Sequence, residues 1–125
     1  MAKILIVDDE PYIRMLLEEA LDDLEDDGVE LLFAEDGEAA LAMAEEHKPS
    51  LLLLDVMMPR MNGFDVCRGI KESPALQSIH VIMLTAKGQE YDRKRGFDAG
   101  ADDYITKPFN PVAVITKARE VLGLA

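Results

Sequence analysis

The sequence predicts one α/β domain built on a parallel sheet with helices on both faces. Three observations predict it. Five short apolar runs recur along the 125 residues, and segments with apolar residues at helical spacing follow them in alternation. One of the runs, Leu51–Leu54, is apolar at every position, as suits a central strand covered on both faces. No Ser/Gly-rich linker, repeat or low-complexity tract breaks the alternation, so residues 1–125 are expected to form a single domain.

The elements follow in order. Lys3–Asp8 (KILIVD) is the first strand. Ile13, Leu16, Leu17, Ala20, Leu21 and Leu24 then mark a helix, with Pro11 in its tolerant first turn and Gly28 closing the region. Val29–Ala34 is the second strand. Glu35 or Asp36 can cap a helix carrying Ala40, Met43 and Ala44, which Pro49-Ser50 ends. Leu51–Asp55 is the third strand. Met57–Gly63, punctuated by Pro59 and Asn62-Gly63, reads as a loop. A helix through Phe64, Cys67 and Ile70 runs to Ser73-Pro74. Ile79–Thr85 is the fourth strand. Residues 88–100 read as a helix with few apolar anchors and with Gly96 inside it. Asp103–Thr106 is a short fifth strand. A last helix after Pro108 and Pro111 carries Val114, Ile115, Ala118, Val121 and Leu122 on one stripe.

Composition excludes several classes. One cysteine forms no internal disulfide, which fits a reducing compartment, and Cys67 at helical spacing reads as a core residue. The longest apolar run is far shorter than the roughly 20 residues that span a bilayer, and the start is too short for a signal peptide, so a cytoplasmic location without membrane attachment is expected. Residues 1–50 hold 16 acids and 3 bases, whereas residues 51–125 hold 9 and 10. An acidic chain of this kind is repelled by phosphate backbones, so direct nucleic-acid binding is not expected.

In open α/β sheets ligands bind beyond the carboxyl ends of the strands. There the first strand ends in Asp8-Asp9, the third in Asp55, the fourth in Thr85 and the fifth in Thr106-Lys107-Pro108. Two carboxylates 4 Å apart repel by roughly 4 kcal/mol at an effective dielectric of 20. Three converging acids therefore call for protons or a cation. Magnesium suits an oxygen-ligand site that must also share phosphate oxygens. The calcium-loop pattern is absent, and Cys67, His47 and His80 sit on other elements. A carboxylate can also attack phosphorus and form an aspartyl phosphate. With a cation on one phosphoryl oxygen, the Lys107 ammonium and the Thr85 hydroxyl can serve the other two.

The stretches ILIVDDE (Ile4–Glu10), LLLLDVMMPRMNGFD (Leu51–Asp65), VIMLTA (Val81–Ala86) and GADDYITKPF (Gly100–Phe109) resemble the CheY-like receiver domain of bacterial two-component response regulators. The resemblance runs in order through essentially the whole chain. It implies a doubly wound (βα)5, flavodoxin-like fold with a five-stranded parallel sheet in the order 2-1-3-4-5. It implies that Asp55 is the phosphoacceptor, taking its phosphoryl group from the phosphohistidine of a sensor histidine kinase or histidine phosphotransfer protein. Asp9, Asp55 and the backbone carbonyl of Met57 would ligate Mg2+, with Asp8 acting through water. Thr85 and Tyr104 match the switch residues, and Lys107 the phosphate-pairing lysine before a cis peptide to Pro108. Output to a downstream effector protein or fused output domain would pass through the fourth helix, fifth strand and fifth helix.

Two competing readings belong to other classes. A phosphatase with an aspartyl nucleophile commonly carries an acid two residues later, where this chain has Met57. A pseudo-receiver acting only as a binding module would not need the full residue set. The favoured reading is a switch whose only catalysis is its own phosphorylation and dephosphorylation. A phosphorylation-dependent homodimer is a further expectation, although Ala113 and Lys117 stand where related DNA-binding regulators often carry a salt-bridging Glu and Arg. Arg93, Asp102 and Asp103 remain as charges for such contacts. The chain could be a stand-alone regulator or a receiver from a longer protein.

Overall fold

The computed structural model describes residues 2–58, 61–86, 94 and 97–124. Strands β1 (Lys3–Val7), β2 (Glu30–Ala34), β3 (Leu51–Asp55), β4 (His80–Ala86) and β5 (Asp103–Lys107) form one sheet. Every pairing is parallel, and the order is β2-β1-β3-β4-β5. The described helices are α1 (Pro11–Glu25), α2 (Gly37–His47), α3 (Gly63–Glu72) and α4 (Pro111–Leu122). The helix predicted over 88–100 lies mostly outside the described residues; within them Lys94, Phe97 and Asp98 are helical.

Strand alternation divides the core into two layers. Ile4, Ile6, Leu51, Leu53, Ile82, Leu84 and Ile105 meet Leu17, Leu21 and Leu24 of α1 and Val114 and Ala118 of α4. The intervening residues Leu5, Val7, Leu52, Leu54, Val81, Met83 and Tyr104 meet α2 and α3. The period of two thus turns each apolar run into two faces, and both need covering. Each of the four leucines of β3 is at most 1% exposed, the sign of a strand at the centre of both layers.

Boundaries differ from the sequence reading by single residues. β1 ends at Val7, so Asp8 is the first residue beyond the strand. β4 and β5 each run one residue further toward the carboxyl edge, because the ladder continues through Thr85↔Thr106 to Ala86↔Lys107. Gly63 opens α3 instead of closing the preceding loop. Asp36, not Glu35, caps α2 by accepting from the Ala39 N–H at 2.8 Å. Asn62 and Asn110 cap α3 and α4 in the same way.

The amino edge of the sheet is tied by Lys71 at the end of α3. Its Nζ donates to the carbonyls of Gln77 (3.2 Å) and Ile79 (2.6 Å) and to Asp102 Oδ2 (2.8 Å). The same Oδ2 accepts from the Val81 N–H at 2.8 Å. Burial alone would raise the Asp102 carboxyl, but Lys71 and the Val81 N–H outweigh it and hold the group below its ordinary range. Asp103 pairs with Lys117 at 2.5 Å and is held low in the same manner. Asp102 and Asp103, read as charges available to a second copy, thus both have partners inside the chain; Arg93 lies outside the described residues. Cys67 is a buried core residue, as read, and burial first of all pushes its thiol up to about 11. Among the described residues no helix is long and apolar enough to cross a membrane.

Candidate functional site

The site lies at the carboxyl edge, where the chain order reverses between β1 and β3. Val7 stands opposite Leu54 in the register of these neighbours. The next residues, Asp8 and Asp55, therefore emerge side by side. Asp8 is fully buried and Asp55 is 4% exposed. Lys107, at the end of β5, lies two strands from β3, a span of roughly 10 Å that a lysine side chain can bridge in large part. Its Nζ donates to Asp8 Oδ2 at 2.9 Å and to Asp55 Oδ1 at 3.0 Å. Residues 99 and 52 positions apart in the chain are joined at one nitrogen. The Lys107–Pro108 peptide is cis.

Asp8 is held on every side. Its Oδ1 accepts from the Glu10 N–H at 2.9 Å, and its main-chain carbonyl accepts from Arg14 Nη1 at 2.6 Å. Its own N–H reaches the Ala34 carbonyl of β2 at 3.3 Å. Glu10, at the N-cap of α1, makes no side-chain capping bond. Carboxylate oxygens of Asp8, Asp9 and Glu10 lie within 4.8 Å of one another, with Asp9 and Glu10 exposed. Asp8 and Asp9 thus come together as read, and Glu10 joins them. Asp55 is linked to this group through Lys107.

Two buried carboxylates share one ammonium. Burial, and then the charge of Asp8, push the Asp55 carboxyl up to about 6, against the opposing pull of Lys107 and of a backbone hydrogen bond from Met57. Burial works against the Lys107 charge, but its bonds to Asp8 and Asp55 outweigh that and hold it above the usual lysine range. The residual negative charge and the all-oxygen donor set fit a hard divalent cation. Met57 contributes its backbone to Asp55, while its side chain is 75% exposed.

Thr85 and Tyr104 face the α2/α3 layer. Thr85 is 1% exposed, and its Oγ1 has no hydrogen-bond partner among the described residues. Tyr104, paired with Met83 of β4, is 7% exposed and meets Phe97 edge-on at 4.5 Å between ring centroids. Its ring is therefore already packed inward. Sequence reading missed Glu10 and Arg14. An acid next to a double acid carried a signal, but the bond of Arg14 to a main-chain carbonyl has none in the sequence.

Comparison with known proteins agrees with this geometry. Residues 4–119 match the family described as the response regulator receiver domain. The transcriptional regulatory protein ResD of Bacillus subtilis (strain 168) is 47% identical over 123 residues, covering 98% of this chain and 49% of ResD. The alkaline phosphatase synthesis transcriptional regulatory protein PhoP of the same organism is 43% identical over 120 residues, covering 96% of this chain and 48% of PhoP. The chain thus spans about half the length of these relatives. Among solved structures, the Vibrio cholerae chemotaxis protein CheY4 superposes with a TM-score of 0.86 at 32% identity, covering 97% of this chain and 98% of CheY4. A buried acid pair bridged by one lysine, on a five-stranded 2-1-3-4-5 sheet, and a family match across nearly the whole chain lead to one conclusion: this chain belongs to the response regulator receiver domains, the phosphoryl-accepting switches of two-component signalling.

Proposed function

We propose that Asp55 is the phosphoacceptor and that the phosphodonor is the phosphohistidine of a sensor histidine kinase or a histidine phosphotransfer protein. The observation that carries this reading is Lys107 Nζ, placed 3.0 Å from Asp55 Oδ1 and 2.9 Å from Asp8 Oδ2. An Asp55 oxygen attacks phosphorus, the O–P bond forms as the donor's P–N bond breaks, and the imidazole leaves with the electron pair. With a carboxyl near 6, Asp55 is mostly ionised at neutral pH and ready to attack. Lys107 follows the developing charge on the phosphoryl oxygens. Asp8, Asp9, Asp55 and the Met57 carbonyl would hold Mg2+, which supplies charge neutralisation at a phosphoryl oxygen.

The Thr85 hydroxyl supports a switch. It is a buried donor with no acceptor among the described residues, and such a group costs about 1–3 kcal/mol. A phosphoryl oxygen on Asp55 offers the acceptor it lacks. Tyr104 lies in the same layer on the edge strand β5, so a shift of Thr85 bears on the face expected for output, of which β5 and α4 are described. That face would act on an effector, fused or separate. The chain catalyses only its own phosphorylation and dephosphorylation.

The test is intact-mass analysis with Mg2+ and acetyl phosphate. A stoichiometric, acid-labile adduct is expected on the parent chain and none on Asp55→Asn. An adduct that persists in Asp55→Asn would overturn the assignment, and rapid turnover without an adduct would point to a phosphatase.

A further inference from the structure

We infer that Gly63 is a positioning residue for the phosphoacceptor: the absence of a side chain there sets where the Asp55–Val56 peptide stands. The inference rests on the proposed role of Asp55. Gly63 is the first residue of α3. A Cβ at this position would lie 2.3 Å from the Asp55 carbonyl oxygen, 3.0 Å from Val56 Cα and 3.1 Å from the Asp55 carbonyl carbon. All three are backbone atoms, and none can swing aside as the end of a side chain can. Gly63 is not among the glycines with positive φ. Its requirement is space alone.

The contact is also bonded. The Gly63 N–H donates to the Val56 carbonyl at 2.9 Å. The Val56 N–H in turn reaches the Leu84 carbonyl at 3.4 Å, one residue before Thr85. Val56, the residue that follows Asp55, is thus held between the first turn of α3 and the end of β4. A methyl group on residue 63 must push the Asp55–Val56 peptide or the helix away. Movement of the peptide shifts Asp55 relative to Lys107, whose bond to it is 3.0 Å long. In-line transfer is sensitive to misplacement of this size.

Gly37 provides an internal control. It opens α2 and is also crowded, but a Cβ there would meet the side-chain atoms Met61 Cβ and Val66 Cγ2, both at 2.9 Å, and no atom of Asp55. The two glycines therefore separate a general loss of packing from a displaced acceptor.

The experiment follows adduct formation by intact mass with Mg2+ over a range of acetyl phosphate concentrations, normalised to folded protein by circular dichroism. The proteins are the parent chain, Asp55→Asn, Gly63→Ala, Gly37→Ala and Asn62→Ala. Gly63→Ala is expected to lower the maximal rate by about tenfold or more with little change in the half-saturating donor concentration. Gly37→Ala is expected to lower Tm but to keep the maximal rate within about twofold. A parent-like rate in Gly63→Ala overturns the inference, as does an equal slowing in Gly37→Ala. If Gly63→Ala does not fold, Asn62→Ala carries the test. It removes the α3 cap, whose oxygen accepts from the Asp65 N–H at 3.0 Å, without adding an atom. A slowing of about threefold supports the inference, and a parent-like rate rejects it. Failure of the parent chain to form an adduct, or an adduct on Asp55→Asn, defeats the role of Asp55, and this inference falls with it.

Discussion

The two ends of the sheet each hold a lysine on an aspartate, with opposite electrostatic results. At the amino edge Lys71 serves one carboxylate, Asp102, which also accepts from the Val81 N–H and is held below its ordinary range. At the carboxyl edge Lys107 serves two, Asp8 and Asp55, and the Asp55 carboxyl is pushed up to about 6. The lysines are alike; the count of carboxylates and the depth of burial differ. One-to-one pairing makes a staple. A two-to-one cluster, with both carboxylates buried, keeps an unsatisfied negative charge that a proton, a cation or a phosphoryl group with its cation can answer. The difference separates a structural ion pair from a site that binds.

The most forceful way to break this comparison is Lys107→Met. It leaves Asp8 and Asp55 buried together with no cation, and removing one partner of a buried ion pair costs about 3–5 kcal/mol. A loss of that size is expected by urea unfolding at pH 8 in the presence of chelator. At pH 4 the loss is smaller, because Asp55 is then protonated in the folded chain. An equal loss at both pH values would contradict a shared negative charge.

Asp55→Asn sharpens the contrast with a smaller effect of opposite sign. The Asp55 carboxyl rises from 3.8 to about 6 on folding, so between those pH values the folded chain keeps a proton that the unfolded chain has released. Its contribution to stability therefore falls as pH rises through this window. The penalty is complete above about pH 6 and absent below the unfolded value. Without chelated cations, Asp55→Asn is expected to be more stable than the parent at pH 8 by up to about 3 kcal/mol and equal to it at pH 4. Urea midpoints across this range check it, and a variant that is less stable at pH 8 would refute the raised carboxyl.

The smallest effect is expected from Lys71→Met at the other edge. Loss of its three hydrogen bonds, on partly exposed groups, should cost about 1–2 kcal/mol at neutral pH. The Asp102 carboxyl is depressed on folding, so its contribution is present above the ordinary carboxylate range and is lost as pH falls through the depressed value. The deficit of the variant should therefore shrink in acid, the reverse of the trend at Asp55. Adduct formation on Asp55 should be unchanged. A slowed adduct would mean that the amino edge does more than staple.

Much of this was legible before the structure. Runs such as LLLLD mark their own strand because apolar residues at consecutive positions can be buried only on a two-faced element. Asp8, Asp9, Asp55, Thr85 and Lys107 could be singled out because each falls at or beside the carboxyl end of such a run. The charge at Asp102 could not be read this way. The sequence leaves it as a charge for a second copy, whereas in the fold it pairs with Lys71, 31 residues away. Gly63 likewise read as loop punctuation, because a sequence carries no measure of how closely two backbones approach.

Local periodicity decided which residues lie in strands, which helices follow and which polar groups stand at strand ends, since those depend on neighbours a few positions apart. Strand order, the pairing of Lys107 with two acids instead of one, the inward packing of Tyr104 and the raised Asp55 carboxyl were decided by tertiary structure. Each depends on distances across the fold between residues on different elements, up to 99 positions apart, and on the exclusion of water around them, and neither quantity is written in the order of residues.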